Sequence, residues 1–190
     1  TQRFYVNGAE QGTGLSPTAG YTPNSALPLR LGAFPNDNGD VGGGSFAGGG
    51  LDEVAIYPAA LTAAEVLSHY QNGTTASRPT PYATLVQSST PAGYWRMDDP
   101  AGPIAPALVN SGTSGTAFKG AYGGDMQPAL PGPQPPEDTG FEASNLSVGT
   151  TANGYNAVPP LGISTNTVTV TTWMKRAETF TTSDLGWPAW

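Results

Sequence analysis

Nine residues, Thr167-Val168-Thr169-Val170-Thr171-Thr172-Trp173-Met174-Lys175, form the cleanest alternation in the chain and are dense in β-branched side chains. Alternation sends successive side chains to opposite faces of a sheet, and β-branched residues fit a pleated, half-buried surface. Shorter runs of the same character occur at Arg3–Val6, Leu27–Gly32, Leu51–Tyr57, Tyr94–Met97, 118–122 and Phe141–Val148. Each predicts a strand. The stretches between them are crowded with Gly and Pro, 26 and 19 of the 190 residues, while charged residues make up only 11%. Long helices and coiled coils need strong helix formers and charge pairs, so both are excluded. Regular alternation with 37% hydrophobic residues also argues against disorder. The chain reads as folded and β-rich.

Local punctuation refines this. Arg3–Val6 runs into Asn7-Gly8, the pair a two-residue hairpin turn prefers because both central residues need positive φ. In Leu27-Pro28-Leu29-Arg30-Leu31-Gly32 the three leucines share one sheet face, and Pro28 marks an edge or a strand start. Gly42–Gly50 leads into the strand Leu51–Tyr57 and not into Gly-Lys-Ser/Thr and a helix, so it reads as a connection, not a phosphate loop. Thr62-Ala63-Ala64-Glu65 is a capping-box pattern, and Leu61, Val66, Leu67 and Tyr70 supply an apolar stripe for a short helix ended by Asn72-Gly73. So short a helix must lie against a sheet. Residues 74–81, with two prolines, read as a semi-rigid linker and a domain boundary. Tyr82–Ser88 fits a short helix stopped before Pro91, 127–140 with five prolines an exposed loop, and 184–190 the start of another strand.

Several function classes fall away. Without cysteine there are no disulfides, thiolate zinc sites or Cys nucleophiles. A net charge of −7 without a basic cluster argues against nucleic acid. No apolar run has the roughly 18–20 residues of a membrane span. His69, the single histidine, lies on the short helix with no nucleophile elbow beside it, and reads as a surface or half-buried helix residue. The first residue is Thr1 with no charged-then-apolar leader before it, which fits either a removed leader or a piece of something longer.

Phe4–Gly8, Leu29–Gly32, Phe46-Ala47-Gly48, Leu51-Asp52-Glu53-Val54-Ala55-Ile56-Tyr57 and Leu61–Val66 together resemble the closing part of a LamG-like jelly-roll domain, of the concanavalin A-like lectin/glucanase superfamily. Ala92-Gly93-Tyr94-Trp95-Arg96-Met97-Asp98-Asp99, Asn110-Ser111-Gly112 and Val168–Lys175 resemble the opening part of the same family. The implied fold is all-β: a concanavalin A-like jelly-roll sandwich of two antiparallel sheets with one short helix. The closing part comes first. The order therefore reads as 1–73 ending one domain, 74–81 linking, and 82–190 opening a second. The alternative is a permuted or strand-exchanged sandwich in which 1–73 and 82–190 close one core.

The resemblance also implies chemistry to test. Sandwiches of this class often carry a structural calcium between the acidic turn of the first strand and an Asp of the last. The matching positions are Asp98, Asp99, the Asn110 turn and Asp52, all oxygen donors of the kind calcium takes. Its glucanases place acids alternately along one strand, as Glu-x-Asp-x-Glu, and no such run exists here. Asp52 and Glu53 are adjacent and so expected on opposite faces, while Glu137, Asp138 and Glu142 lie in or beside the Pro-rich loop. No catalytic residue is assigned. Trp187, Trp190 and Tyr155 are conceivable sugar platforms, whereas Trp95 and Trp173 sit mid-strand, where core packing is the usual role. Asn72-Gly73-Thr74 and Asn145-Leu146-Ser147 match the glycosylation sequon. The expectation is a non-catalytic, extracellular or cell-surface binding or adhesion module of a larger protein. Its partners would be a glycan or an extracellular protein, together with neighbouring repeats or another copy. The rival is a purely structural repeat of a fibre or array.

Overall fold

The computed structural model describes residues 1–16, 28–32, 49–100, 107–150 and 154–176. Residues 35–48 of the loop expected over 35–50, the strand start at 184–190, and Trp187 and Trp190 lie outside them, while Gly49 and Gly50 open a strand instead of ending the loop. The strands are β1 (Tyr5–Val6), β2 (Ala9–Glu10), β3 (Leu29–Leu31), β4 (Gly49–Tyr57), β5 (Gly93–Trp95), β6 (Ala107–Leu108), β7 (Gly120–Gly123), β8 (Gln127–Pro131), β9 (Leu146–Thr150), β10 (Tyr155–Val158) and β11 (Thr169–Arg176). The helices are α1 (Ala63–Thr74) and α2 (Tyr82–Ser88), with a 3₁₀ turn at Thr116–Phe118.

All the strand pairs are antiparallel. A four-stranded sheet runs β3-β10-β7-β6, and a larger one runs β11-β4-β9-β8 with β5 also on β4. Leu31, Leu108 and Val158 from the smaller sheet meet Leu51, Val54, Ile56, Trp95 and Val148 from the larger in one core. On the other face of the larger sheet, Ala55, Tyr57 and Tyr94 pack with Tyr82 and Val86 of α2, Phe141 and Trp173. Thus β4 is covered on both sides, and every residue from Leu51 to Tyr57 is buried. The architecture is the two-sheet β-sandwich of the concanavalin A-like class, with helices laid on its outer face. Both sheets mix strands from either side of residues 74–81: β3 pairs β10, and β4 pairs β5, β9 and β11.

The hairpin forms as expected, Asn7 and Gly8 taking φ of 52° and 75° between Val6 and Ala9. The capping box forms too: Glu65 N donates to Thr62 Oγ1, and Thr62 N donates to the Glu65 carboxylate. The helix does not stop at Asn72-Gly73 but runs through both to Thr74. Its most buried residues are His69, Asn72 and Gly73, not the expected stripe. A Cβ on Gly73 would collide with Trp173 and Phe141, so the bare backbone lets these rings approach the helix. Among the described residues there are two α-helices, where one was expected with a shorter second segment.

Three further segments differ. Part of the Pro-rich 127–140 stretch is β8, paired with β9 at the sheet edge with a register shift between Gln127 and Leu130. Proline is tolerated there because one side of an edge strand donates no ladder bond. The strand expected over Phe141–Val148 begins only at Leu146, after a turn in which Asn145 N donates to Glu142 O. The strand β10 has no long alternating run to announce it, and it exists because β3 and β7 flank it.

Candidate functional site

The sequence pattern put Asp52 and Glu53 on opposite faces of one strand. Glu53 instead has φ of 51°, and between Asp52 and Ala55 of β4 there is one residue more than between Trp173 and Thr171 of β11. The result is a β-bulge, which re-aims side chains locally. Both carboxylates enter one cluster. One Asp52 oxygen accepts from Glu53 N at 2.8 Å and the other from Asn145 Nδ2 at 2.8 Å. Glu53, 0% exposed, accepts from Arg96 Nε at 3.1 Å and from the Tyr94 hydroxyl. Arg96 Nη1 pairs with Asp98 at 3.1 Å, and Nη2 reaches Asn145 Oδ1 at 3.4 Å and Glu142 at 3.6 Å. Glu142 also pairs with Arg78 at 3.2 Å.

Burial controls the protonation of this cluster. It pushes Glu53 up to about 7, with the Arg96 charge and the Tyr94 and Arg96 hydrogen bonds pulling the other way. Burial and then the neighbouring Glu53 hold Asp52 well above the usual carboxylate range. Burial lowers Arg96, but Glu53 and Asp98 more than offset it, so its charge is held more firmly. Neither acid on the bulge is accessible to a substrate, so the cluster has the character of a sealed, internally compensated charge network.

The four candidate calcium ligands are divided. Asp52 and Asp98 border the Arg96 cluster. Asp98 Oδ1 accepts from Leu146 N at 3.0 Å, so both its oxygens have protein donors. Asp99 turns away and accepts from Tyr122 of the smaller sheet at 2.6 Å. Asn110 lies beyond the other end of the group, its Oδ1 accepting from Tyr94 N and Gly112 N, both at 2.8 Å, and its Nδ2 donating to Gly115 O. Among the described residues no group of three or more His, Cys, Asp or Glu side chains is arranged to hold a metal. This donor set does not fit calcium. Its oxygens are engaged by protein donors, and the positive charge at its centre is the Arg96 guanidinium.

Other sequence-derived candidates are also placed. Trp95 is fully buried in the core, and Trp173 is packed among Tyr70, Tyr82 and Phe141. Tyr155 lies in β10 under the Arg30 guanidinium, 5.2 Å from the ring centroid. Asn145 and Asn72 are buried and donate to Asp52 and Thr80, so neither sequon presents its amide to a glycosylating enzyme. His69 lies edge-on between Tyr57 and Tyr82, and burial lowers its pKa. Among the described residues no helix is long and apolar enough to cross a membrane.

Sequence reasoning did not anticipate a groove of about 1130 Å³ between the β1–β2 hairpin, α1 and β11. Leu61, Val66 and Tyr70 come from around α1, Phe4 and Tyr5 from the hairpin, and Val168 to Met174 from the last strand. The hairpin leans on the helix: a Cβ on Gly8 would lie 3.0 Å from Tyr70 Cβ and 3.1 Å from Leu67. Trp173 stacks on Tyr70 at 6.2 Å between centroids. Phe4 and Val170 remain 67% and 62% exposed. The signal was present in the row Val168, Val170 and Met174, but nothing in a linear pattern says which row is left uncovered.

No curated protein and no solved structure matches the chain. Residues 1–67, which carry β1 to β4 and the start of α1, match the family model of the laminin G type, the concanavalin A-like lectin/glucanases superfamily.

Proposed function

We propose that this chain is a non-catalytic binding module of a larger extracellular or cell-surface protein, and that the groove beside β11 is its ligand surface. The match over residues 1–67 supports a carbohydrate- or protein-binding role. The observation that carries the reading is the groove itself, where large apolar side chains stay exposed although the sandwich core is closed. Exposed apolar patches of this kind mark interaction sites on soluble proteins. The non-catalytic part of the reading rests on the acidic cluster. Glycoside hydrolysis needs two carboxyl groups flanking an accessible bond, and Asp52 and Glu53 are 1% and 0% exposed.

The test is binding of the 190-residue chain to a glycan array and to an array of extended peptides, each repeated with Phe4→Ala and Val170→Lys. Saturable binding that either substitution weakens supports the reading. Binding that neither changes places the ligand elsewhere and overturns it. A second reading, a structural repeat that binds only its neighbours, is favoured by the open edge of β11. Concentration-dependent polymerisation of the purified chain would support it.

A further inference from the structure

The consecutive residues Asn166 through Met174 all line the groove, with side chains from both faces of the strand. A strand presents both its faces to one space only along its edge. Among the described residues β11 pairs with β4 alone and ends the larger sheet. Its residues Thr169–Met174 line the groove and leave alternate N–H and C=O groups pointing into it over about 20 Å, at roughly 3.3 Å per residue. Unpaired edges of this length are templates for another strand unless blunted by charge, proline or a bulge. β11 has no proline, its charged residues Lys175 and Arg176 lie only at its far end, exposure alternates from Thr169 to Met174, and the extra residue of the bulge is on β4.

The side-chain rows select the occupant. Val170 pairs with Ile56 and Met174 with Leu51, so both lie on the core face of the sheet, yet they are 62% and 63% exposed. Among the described residues the smaller sheet does not reach over β11, and the row Val168, Val170, Thr172 and Met174, apolar but for the threonine, is left uncovered. Among the described residues no carboxylate lines the groove, and its one cationic side chain, Arg3, is held by both oxygens of Glu10 at 2.7 Å. A saccharide stacks on a free aromatic face with polar groups converging around the ring, whereas Trp173 and Tyr70 of the groove are stacked on each other. A long backbone ladder beside an apolar row suits a polypeptide, whose main chain supplies the bonds and whose alternate side chains fill the row.

We propose that the groove accepts one extended polypeptide segment, which adds to the free edge of β11 and lays alternate apolar side chains against Val168, Val170 and Met174. This rests on reading the groove as the ligand surface and names the ligand class. Lys175, exposed just beyond the groove, favours an acidic residue at that end of the segment.

The probe is a capped octapeptide alternating Val and Thr with a terminal Glu, titrated into the 190-residue chain by fluorescence anisotropy. Two relatives of it carry N-methyl groups on the odd or on the even backbone nitrogens. Only one of these sets can face β11. The expected result is binding in which one methylated peptide loses at least tenfold in affinity and the other stays within about threefold, because a ladder uses alternate N–H groups. Val170→Lys is expected to weaken binding at least tenfold, and Val170→Thr serves if the lysine variant fails to fold. Equal binding of both methylated peptides would overturn the proposal, since no ladder is then formed. So would absence of binding together with slow amide exchange along β11, which would mean that the edge is covered, for instance by residues 177–190. Neutral oligosaccharides binding in place of the peptide would overturn the ligand class and leave the groove reading standing. If neither peptide nor oligosaccharide binds, both fall.

Discussion

Two regions of the larger sheet invert the usual distribution of side chains. At the bulge of β4, two acids and an asparagine are buried, and every one has partners. Along β11, two strands' width away at most, valine and methionine on the core face are largely exposed. Polar groups are tolerated inside only when paired, so the first region reads as a compensated interior network. Apolar groups left outside lose the gain of burial, so the second reads as a surface that awaits something. Exposure, and not residue chemistry, separates the internally paired acids from the hydrophobes proposed to meet a ligand.

The largest effect expected from breaking this contrast is at Arg96. Arg96→Met leaves Glu53 buried without its cation, and removing one member of a buried pair costs about 3–5 kcal/mol. Urea unfolding at pH 7.5 measures it; a loss below about 1 kcal/mol would show that the cluster is not a compensated unit. Calcium and chelator are expected to leave the wild-type melting temperature unchanged, because the donors are already engaged.

A smaller effect sharpens the same side. Glu53 in the folded chain titrates at about 7, above its ordinary 4.5, because burial disfavours the charge. The folded state then holds this proton more tightly than the unfolded chain between those values. The stability it contributes is full below about pH 4.5 and is lost as the pH rises to about 7. Glu53→Gln is expected to remove about 1–3 kcal/mol of the stability difference between pH 5 and pH 7.5, at 1.36 kcal/mol per pH unit. Asp52, raised for the same reason, leaves a residual slope of the same sign. An unchanged profile would show that Glu53 does not titrate there.

Thr62→Ala acts between the two regions, since α1 is a wall of the groove and its start is held by the Thr62–Glu65 box. Loss of such a cap costs about 1 kcal/mol. Amide exchange in the first turn of α1 should quicken more than exchange in β4. The smallest stability effect is expected at Val170→Thr, within about 0.5 kcal/mol because the side chain is already exposed. A loss above about 2 kcal/mol would mean that Val170 is covered in solution.

Local chemistry made much of the fold legible. Asn7-Gly8, the Thr62–Glu65 box and the alternation of 167–175 each form because the determinants lie within a few residues of one another. The misses share a different cause. β8 and β10 are strands because of their neighbours, despite proline in one and a weak pattern in the other. Gly73 continues its helix because two aromatic rings need the space that a side chain would fill. Of the four candidate metal ligands, Asp52 and Asp98 border the Arg96 cluster. Asp99 and Asn110 take separate partners that no spacing reveals.

The sequence by itself determined the class of structure: short strands between Gly- and Pro-rich connections, one capped helix, a β-rich interior and the resemblance carried by Leu51–Tyr57. These follow from backbone preferences and side-chain periodicity, which act over a few residues. Only the tertiary structure decided that Asp52 and Glu53 share one side of the sheet, that Arg96 supplies their positive charge, and that the core face of β11 stays open. A one-residue bulge reverses the facing of a side chain, and the reach of an opposing sheet decides what is buried. Both depend on strands far apart in the chain.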